Sequence, residues 1–259
     1  MSKRKAVILA AGKGTRMKSD LPKVVHRIEG KCLVDYVIDA ARGADVSEIC
    51  LVVGYKHEIV ESEIESTGVV FTLQPEQLGT GHAVKCAREF LGNEGQTLIL
   101  FGDTPLITAQ TLRSLCEYHE KNKNTVTVLS AKVDDPTGYG RIIRDVDGCF
   151  VKSVEHKDAS EAELASHEIN SGMYIFDTVE LKAALDLIRP NNAQGEYYLP
   201  DTLTIIKEKG LKVDAYALND ATDITGVNDQ TQLAEAAKII LERVCSGQNE
   251  ALAAEFVRK

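Results

Sequence analysis

The chain has 259 residues, which is enough for one large domain or for a domain with a smaller appendage. Hydrophobic residues make up 44% of the sequence and charged residues 27%, proportions that are typical of globular proteins with a sizeable core. The 30 Lys and Arg residues are outnumbered by 39 Asp and Glu residues, and the net charge of −9 argues against a nucleic-acid-binding protein.

The N-terminal segment MSKRKAVILAAG could be mistaken for a secretory leader, but its apolar run ends after about seven residues. No segment approaches the ~18 consecutive apolar residues that a membrane-spanning helix needs. The six cysteines form no C-x-x-C pair and lie in or beside apolar stretches, where we expect reduced thiols that pack as small hydrophobic side chains. These features predict a cytoplasmic protein with neither a membrane nor a nucleic-acid partner.

Short apolar runs rich in β-branched residues alternate with helical patterns in the first half of the chain. The runs predict strands at 6–9, 49–53, 69–73, 97–101 and 125–131. The patterns between them predict helices at 32–44, 57–66, 81–92 and 108–122. Such alternation indicates a parallel sheet covered by helices on both faces, in which ligands bind beyond the carboxyl ends of the strands.

From about residue 133 the pattern changes to short strands joined by turns, which predicts an antiparallel or mixed extension of the same sheet. A further strand is predicted at 212–218, and helices are predicted at 158–166, 178–188, 197–210 and 229–244. No repeat or low-complexity linker separates the two halves. We therefore predict one α/β domain over residues 1–244, with halves at 1–132 and 133–228 woven into one sheet, and a helical tail over 245–259.

The segment LAAGKGTRMKSDLPK, which follows the first predicted strand, combines two glycines with several basic residues. Its glycines would let backbone N–H groups approach a polyphosphate, and Lys13, Arg16 and Lys23 supply positive charge. It is not a Walker A loop, because Lys13 precedes the second glycine and no glycine stands where that motif begins. It is also not a complete dinucleotide fingerprint, because Met17 occupies the position of the third glycine. The residues alone therefore predict a phosphate site without fixing its type.

Polar residues also follow the third and fourth predicted strands. Gln74 carries both an amide donor and a carbonyl acceptor, which could read the edge of a nucleobase. Gly79 and Thr80 lead into a helix where backbone groups can contact a flat ligand, and we expect the nearby His82 to cap or pack. Asp103 follows a buried strand and a glycine, a position that presents a carboxylate to a hard cation. A capping role is the alternative, although Asp103 comes several residues early for the helix near residue 108.

The second half offers further polar positions at strand ends and in loops. Gly140 allows a close backbone approach, and Glu155 and Asn170 lie at or beside strand ends where sugar hydroxyls could find partners. The polar loops NNAQGEYY and GVND lead into helices. Each of these signals is weak alone, and locally Asn228 cannot be distinguished from a helix cap.

The motifs together resemble those of the sugar-phosphate nucleotidyltransferases. In chain order they are LAAGKGTRM…LPK, QPEQLGTGHA, GD, GYGRI, VEHKDA, EINSGMYIFD, NNAQGEYYL and GVN. They are similar to the uridyltransferase domain of the bifunctional enzymes that make UDP-N-acetylglucosamine, over roughly residues 5–243. The resemblance implies a three-layer, Rossmann-like α/β fold with a mixed, mostly parallel sheet, the nucleotide-diphospho-sugar transferase fold.

The resemblance also implies roles for the matching positions of this chain. The UTP phosphates would be held by Ala11, Gly12, Lys13, Arg16 and Lys23, of which the last two would be catalytic beside the α-phosphorus. Uracil would be recognised by Gln74, Gly79 and Thr80. The metal ion, Mg²⁺, would be held by Asp103 and Asn228. The N-acetylglucosamine moiety would be bound by Gly140, Glu155 and Asn170.

The chain departs from the usual motifs of the family at three positions. Thr104, His156 and Ser171 stand where Val, Gln and Thr are frequent, and they leave the adjacent Glu155 and Asn170 intact. The family also continues into an acetyltransferase domain built from hexapeptide repeats. The last residues, ERVCSGQNEALAAEFVRK, show neither those repeats nor the lead-in to them, so acetyltransferase activity is not inferred.

The implied reaction converts UTP and N-acetylglucosamine 1-phosphate to UDP-N-acetylglucosamine and pyrophosphate, with Mg²⁺ as the cofactor. Residues 1–132 would be the nucleotide-binding half and residues 133–228 the sugar-binding half. Three alternatives stay open: nucleotidyl transfer to another sugar 1-phosphate, a non-catalytic nucleotide-sugar-binding regulatory protein, and a dinucleotide-dependent oxidoreductase, which Met17 disfavours. Regulatory proteins of this fold tend to lose the loop arginine, the lysine or the metal carboxylate, and this chain keeps all three. We expect a monomer or a weak homodimer.

Overall fold

The computed structural model describes residues 3–246. The strands in this part of the chain are β1 Arg4–Ala10, β2 Arg27–Ile28, β3 Lys31–Cys32, β4 Glu48–Val53, β5 Val69–Leu73, β6 Gln96–Phe101, β7 Val126–Lys132, β8 Arg141–Arg144, β9 Phe150–Val154, β10 Glu168–Asp177 and β11 Val213–Leu218. The α-helices are α1 Leu33–Gly43, α2 His57–Glu63, α3 Thr80–Cys86, α4 Arg88–Leu91, α5 Ala109–Asn122, α6 Glu161–Leu164, α7 Thr178–Leu185, α8 Asp201–Glu208 and α9 Gln230–Cys245.

A mixed sheet forms the centre of the molecule. Its main path runs β11-β7-β10-β6-β1-β4-β5, and the antiparallel pair β8 and β9 joins it at β10. Along the main path neighbouring strands are parallel except at β10, which runs antiparallel to both β6 and β7. Strands β1, β4 and β6 are buried along most of their length, as expected for strands that are covered on both faces. The predicted α/β fold with a mixed, mostly parallel sheet is confirmed.

Two hydrophobic cores separate the sheet from the helices on its two faces. One core contains Ile38 of α1 and Leu112 of α5, and the other contains Val84 of α3 together with residues of α7 and α8. Successive residues of β1 face opposite cores, with Ile8 in the first and Val7 in the second. The uninterrupted apolar run that predicted this strand therefore reflects burial on both sides.

A third, smaller core ties α9 to the segment that follows β1. Met17, Tyr36 of α1 and Ile240 of α9 are buried together. The Tyr36 hydroxyl donates to the Ile28 carbonyl at 2.9 Å, so its polar end is satisfied. This core brings two regions at opposite ends of the sequence together beside the carboxyl end of β1.

Several predicted helices are longer than the helices in the structure: those at 57–66, 158–166 and 178–188 are helical only over α2, α6 and α7. Two further differences have a visible cause or form. The predicted helix at 81–92 is divided into α3 and α4. The predicted helix at 197–210 is helical only over α8, because Tyr197 is paired with a distant loop instead. The Tyr197 N–H donates to the Leu78 carbonyl at 2.9 Å, and its carbonyl accepts from the Gly81 N–H at 2.8 Å.

The cysteines are only partly the buried hydrophobic residues that we expected. Cys32, Cys50 and Cys116 are buried, and burial raises the pKa of the Cys116 thiol to about 11. Cys149 and Cys245 are exposed, so the expectation of burial is wrong for these two.

The described chain reaches residue 246, one residue past the end of α9. The predicted helical tail over 245–259 therefore lies almost entirely outside the described residues. Between residues 3 and 246 no helix is long and apolar enough to cross a membrane.

Candidate active site

The loop after β1 is folded closely around Lys23. Gly14 has a left-handed backbone conformation with φ of 61°, and a Cβ atom on it would lie 2.6 Å from the Lys23 Cβ. Glycine is therefore needed here for both its conformation and its size. A short 3-10 turn follows at Thr15–Met17, and Met17 is buried in the third core. The residue that breaks the dinucleotide fingerprint is thus a packing residue.

Four residues with predicted site roles, from three separate loops, meet beside this turn. The Lys23 ammonium forms an ion pair with Asp103 and lies 3.1 Å from the Asn228 Oδ1 atom. Arg16 donates to the same oxygen at 2.8 Å. The loops of Asp103 and Asn228 are also joined directly, since the Val227 N–H donates to the Asp103 carbonyl at 2.8 Å. We call Arg16, Lys23, Asp103 and Asn228 the charged cluster.

Neither Asp103 nor Asn228 caps a helix. The cap of α5 is Thr108, whose side chain accepts a backbone N–H of the first turn at 3.1 Å. The cap of α9 is Asp229, whose Oδ1 atom accepts from the Gln232 N–H at 2.9 Å. Because its neighbour does the capping, the side chain of Asn228 is available to the charged cluster.

The donor set of the charged cluster suits a hard divalent cation. Asp103 supplies carboxylate oxygens and Asn228 an amide oxygen, and the positive charge of Lys23 already contacts both side chains. No group of three or more His, Cys, Asp or Glu side chains is arranged to hold a metal within the described range 3–246. A cation held by Asp103 and Asn228 would thus take its other ligands from water and phosphate, a common arrangement for Mg²⁺ at nucleotide sites.

A cavity of about 330 Å³ opens beside the charged cluster at the carboxyl ends of β1 and β6, and we call it the first cavity. The residues with predicted roles that line it are Ala11, Gly12, Lys23, Gln74, Gly79, Thr80 and Asp103. Gln77, Phe101 and Glu196 line it too, although no role was assigned to them from the sequence. Glu196 lies in the polar loop NNAQGEYY, and the polarity of that loop was a weak indication that it lines a site.

Lys13 is exposed, and within residues 3–246 its side chain forms neither a hydrogen bond nor an ion pair.

Gln74 is 3% exposed although it lines the first cavity. Its N–H donates to the Val53 carbonyl at 2.7 Å, which extends the pairing of β4 and β5 by one residue. Its Nε2 atom lies 3.2 Å from the Gly79 carbonyl oxygen and 3.1 Å from the His82 Nδ1 atom. Gly79 occupies the cap position of α3, so His82 does not cap this helix, whereas the other expected role, packing, is seen against the Tyr197 ring, with the ring centroids 6.4 Å apart. The imidazole also contacts Gln74, a predicted base-binding side chain.

The turn that begins α3 packs directly against the segment around Tyr197. Gly79 has φ of 104°, and a Cβ atom on it would lie 2.7 Å from the Tyr197 carbonyl oxygen. A Cβ atom on Gly81 would lie 2.9 Å from the same oxygen. Both glycines of the GTG sequence are therefore required by contact with a segment that is distant in the chain, in addition to any contact with a ligand.

A second cavity, of about 180 Å³, is lined by the three predicted sugar-binding residues, Gly140, Glu155 and Asn170. The Asn170 N–H donates to the Gly140 carbonyl at 2.9 Å, and its Nδ2 atom donates to the Tyr174 hydroxyl at 2.9 Å. The Gly172 N–H donates to the Asn170 Oδ1 atom at 2.8 Å. Tyr174 also lines this cavity and was not predicted, and its place on the same strand as Asn170 was the available signal. The amide of Asn170 is thus held in one orientation.

Glu155 is the ionisable group of the second cavity. Burial, together with the nearby charges of Asp158 and Asp201, raises the pKa of Glu155 above its ordinary range. A Cβ atom on Gly140 would lie 3.2 Å from the Glu155 Oε1 atom, so a glycine at 140 lets the backbone approach this carboxyl group. The second cavity therefore presents one partly buried acid and one fixed amide.

The two cavities are neighbours. Thr80 and Phe101 line both of them. The Thr80 hydroxyl also accepts from the Leu199 N–H at 3.1 Å, which fixes the shared wall to the segment before α8. A ligand in the first cavity would therefore lie next to a ligand in the second.

This sheet and the cleft at its carboxyl edge define a nucleotidyltransferase of the nucleotide-diphospho-sugar transferase fold. A solved structure of UDP-glucose pyrophosphorylase complexed with UDP-glucose has a TM-score of 0.76 to this chain, with 20% identity. The likeness covers 94% of this chain and 100% of that one, and it shows the fold. The nucleotidyl transferase family matches residues 5–238, and the chain belongs to that family.

Curated relatives are more similar in sequence. The bifunctional protein GlmU of Clostridium novyi (strain NT) is 52% identical over 242 residues, which are 93% of this chain and 53% of that protein. The bifunctional protein GlmU of Caldanaerobacter subterraneus subsp. tengcongensis is 54% identical over 239 residues, which are 92% of this chain and 52% of that protein. The chain thus spans about half the length of the curated relatives it matches. Nucleotidyltransferases of this family generally use a divalent metal ion, which agrees with the donor set of the charged cluster.

Proposed function

We propose that the chain transfers a uridylyl group from UTP to N-acetylglucosamine 1-phosphate, giving UDP-N-acetylglucosamine and pyrophosphate. The family and the relatives support a nucleotide and a sugar phosphate as the substrates. The observation that carries the proposal is the contact of two cavities at Thr80 and Phe101, with the charged cluster beside the first of them. This arrangement suits the joining of a nucleoside triphosphate to an anionic sugar derivative.

The first cavity would hold UTP. Uracil would be recognised by Gln74, Gly79 and Thr80. Ala11, Gly12 and Lys13 would hold the phosphates, with backbone N–H groups approaching closely because no atom lies within 4 Å of a Cβ position on Gly12. The phosphate end of UTP would then lie against the charged cluster.

The second cavity would hold the sugar. The Glu155 carboxylate offers acceptors for the hydroxyl and acetamido groups, and Gly140 leaves room for them. The Asn170 amide lines the same cavity, with its Nδ2 hydrogens directed to the Ser153 and Tyr174 hydroxyls. Since the second cavity adjoins the first at Thr80, the 1-phosphate of the sugar would approach the α-phosphate of UTP. Holding both reactants in one cleft supplies much of the rate enhancement in reactions of this kind.

Charge stabilisation is the chemical task of this site. An oxygen of the sugar phosphate attacks the α-phosphorus, the bond from that phosphorus to the bridging oxygen breaks, and pyrophosphate leaves. The nucleophile is already an anion, so no general base is required. Arg16 and Lys23 would neutralise the charge on the non-bridging and leaving oxygens. Mg²⁺, when bound by Asp103 and Asn228, would supply further positive charge to the phosphate oxygens.

A matrix of nucleoside triphosphates and sugar 1-phosphates, read out by pyrophosphate release, tests the proposal. UTP with N-acetylglucosamine 1-phosphate and Mg²⁺ should give the highest kcat/KM, and chelation of the metal should remove the activity. A higher kcat/KM with glucose 1-phosphate or with another nucleotide would establish the alternative transfer reaction. Nucleotide-sugar binding without pyrophosphate release in any combination would instead support the regulatory alternative.

A further inference from the structure

Asn228 is the neutral member of the charged cluster, and its side-chain oxygen receives both cationic side chains. Arg16 donates to the Oδ1 atom at 2.8 Å, and the Lys23 ammonium lies 3.1 Å from the same atom. Both neighbours can only donate, so the amide of Asn228 has one suitable orientation, with its oxygen towards them. The placement of the two cations therefore depends on where the backbone carries Asn228.

The backbone of Asn228 is held by the side chain of Gln232. The Gln232 Oε1 atom accepts from the Asn228 N–H at 2.7 Å, which is shorter than any of the three contacts of the Asn228 side chain. A backbone N–H can only donate, so this contact also fixes the orientation of the Gln232 amide. The N–H of Gln232 donates to the Asp229 Oδ1 atom at 2.9 Å, within the first turn of α9. One side chain thus fastens Asn228 to the longest helix that the structure describes.

The contact differs from the usual arrangement at the start of a helix. In a capping box, the side chain of the third helical residue accepts from the backbone N–H of the cap residue. Helix α6 has this arrangement, since Glu163 accepts from the N–H of its cap residue Ser160 at 2.8 Å. Gln232 holds the same third position in α9, but it accepts from Asn228, the residue before the cap. The bond is therefore made to a member of the charged cluster instead of to the helix cap.

We propose that Gln232 is a positioning residue for the charged cluster, because it holds Asn228 where its amide oxygen meets Arg16 and Lys23. The inference rests on the proposed function, which gives these three residues their roles at the phosphates and the metal ion. Gln232 lines neither the first nor the second cavity, so it acts through Asn228. Its loss should impair the reaction step and metal binding more than the binding of either substrate.

Kinetics of pyrophosphate release by the full chain, with UTP and N-acetylglucosamine 1-phosphate, give the first test. Gln232→Leu removes the acceptor and should lower kcat about fivefold, the value of one hydrogen bond, with KM for both substrates within about twofold of the original. Gln232→Glu keeps an acceptor oxygen at the same reach and should keep kcat within about twofold. Thr231→Val is the matched control, because Thr231 is exposed on the same turn and its side chain forms no hydrogen bond within residues 3–246.

Binding of Mn²⁺ alone to the nucleotide-free protein gives a second test that does not depend on turnover. The free ion is followed by electron paramagnetic resonance during a titration. Asn228→Ala removes a proposed ligand and should weaken binding, and Gln232→Leu should raise the dissociation constant about fivefold. Gln232→Glu should bind Mn²⁺ at least as tightly as the original protein. Binding that Asn228→Ala leaves unaffected would overturn the metal assignment and, with it, the inference.

The remaining outcomes separate positioning from a purely structural role. Unchanged kcat and Mn²⁺ binding in Gln232→Leu, even with a lower unfolding temperature, would overturn the inference, as would equal losses in Gln232→Leu and Gln232→Glu. Gln232→Asn withdraws the oxygen by one methylene and replaces the Leu variant if circular dichroism shows that protein to be unfolded. If the original protein released no pyrophosphate, but Mn²⁺ binding were weakened in Gln232→Leu and kept in Gln232→Glu, the proposed reaction would be contradicted and the role of Gln232 would stand.

Discussion

The two cavities hold their polar groups in different ways. At the first cavity, the charged cluster joins three loops: Lys23 forms an ion pair with Asp103, and Arg16 and Lys23 both donate to the neutral amide oxygen of Asn228. At the second cavity, Asn170 is fixed by hydrogen bonds to groups on β10 and to Gly140. Ligand binding at the first cavity should therefore depend on the charges of the cluster, and ligand binding at the second cavity should depend on the fixed directions of its donors and acceptors.

The largest expected effect is the loss of the carboxylate at the charged cluster. Asp103→Asn keeps the size of the side chain and removes a negative metal ligand, so pyrophosphate release should fall on the order of 10²–10³-fold. The variant should remain folded by circular dichroism. Asp186→Asn is the control, since Asp186 is exposed and its carboxylate pairs, among residues 3–246, only with the surface residue Arg88, at 2.8 Å. Near-normal turnover of Asp103→Asn would contradict the metal assignment.

Two glycine substitutions distinguish the effect of displacing Lys23 from the effect of backbone strain alone. Gly14 and Gly68 both have left-handed conformations, with φ of 61° and 72°, but only a Cβ atom on Gly14 would meet Lys23. Gly14→Ala should displace the ammonium group and lower kcat about 10²-fold, as misplacement by about 1 Å can do. Gly68→Ala should lower the unfolding temperature slightly through strain and leave kcat unchanged. Equal kcat values in the two variants would show that the contact of Gly14 with Lys23 is unimportant.

A smaller effect is expected in the second cavity, where Glu155→Gln should act on sugar binding and stability in opposite directions. The variant should raise KM for the sugar phosphate about tenfold, since a hydrogen bond to a charged acceptor is lost, and leave KM for UTP unchanged. Because the folded protein raises the pKa of Glu155 above its ordinary value of 4.5, the charged form lowers the stability of the fold at neutral pH.

The unfolding temperature of Glu155→Gln should therefore exceed that of the original protein at pH 7. The difference should shrink as the pH falls towards 4.5, where the unfolded chain also binds the proton. Glu208→Gln on the exposed face of α8 serves as the control and should show neither effect. An unfolding temperature that is lower at pH 7 would mean that the Glu155 carboxylate is stabilised in the fold.

The sheet and the helices of the first half could be predicted because their signals are local. The apolar run at 6–9 predicted β1, and its burial on both faces is what such a run indicates. The helix predicted at 197–210 was too long, because the hydrogen bonds that hold Tyr197 extended come from a turn more than a hundred residues earlier. No pattern within the segment records that partner.

The candidate site also contains some features that local sequence signals predicted and others that depend on distant partners. Lys23 was predicted as a site residue and the two glycines of its loop were noted, but the contact of Gly14 with Lys23 depends on a loop conformation that spacing alone does not show. The sequence left Asn228 indistinguishable from a cap, and the structure excludes the capping role because Asp229 caps α9, while the metal role of Asn228 stays a prediction. His82 was expected to cap or pack. Its contact with Gln74 was not predicted, because that contact joins two elements whose relative placement the sequence does not specify.

The position of β7 in the sheet has a consequence for synthesis of the chain. Its two neighbours are β10 and β11, which come 36 or more residues later in the sequence, so a ribosome that has made residues 1–132 has made β7 without either pairing partner. The apolar residues of β7, which are buried in the complete fold, must stay exposed to solvent until the second half emerges from the ribosome. Folding from the N-terminus can thus start with β1, β4, β5 and β6, but completion of the sheet waits for the C-terminal half. A protease or chaperone that samples nascent chains would meet β7 as an unpaired, aggregation-prone strand during that interval.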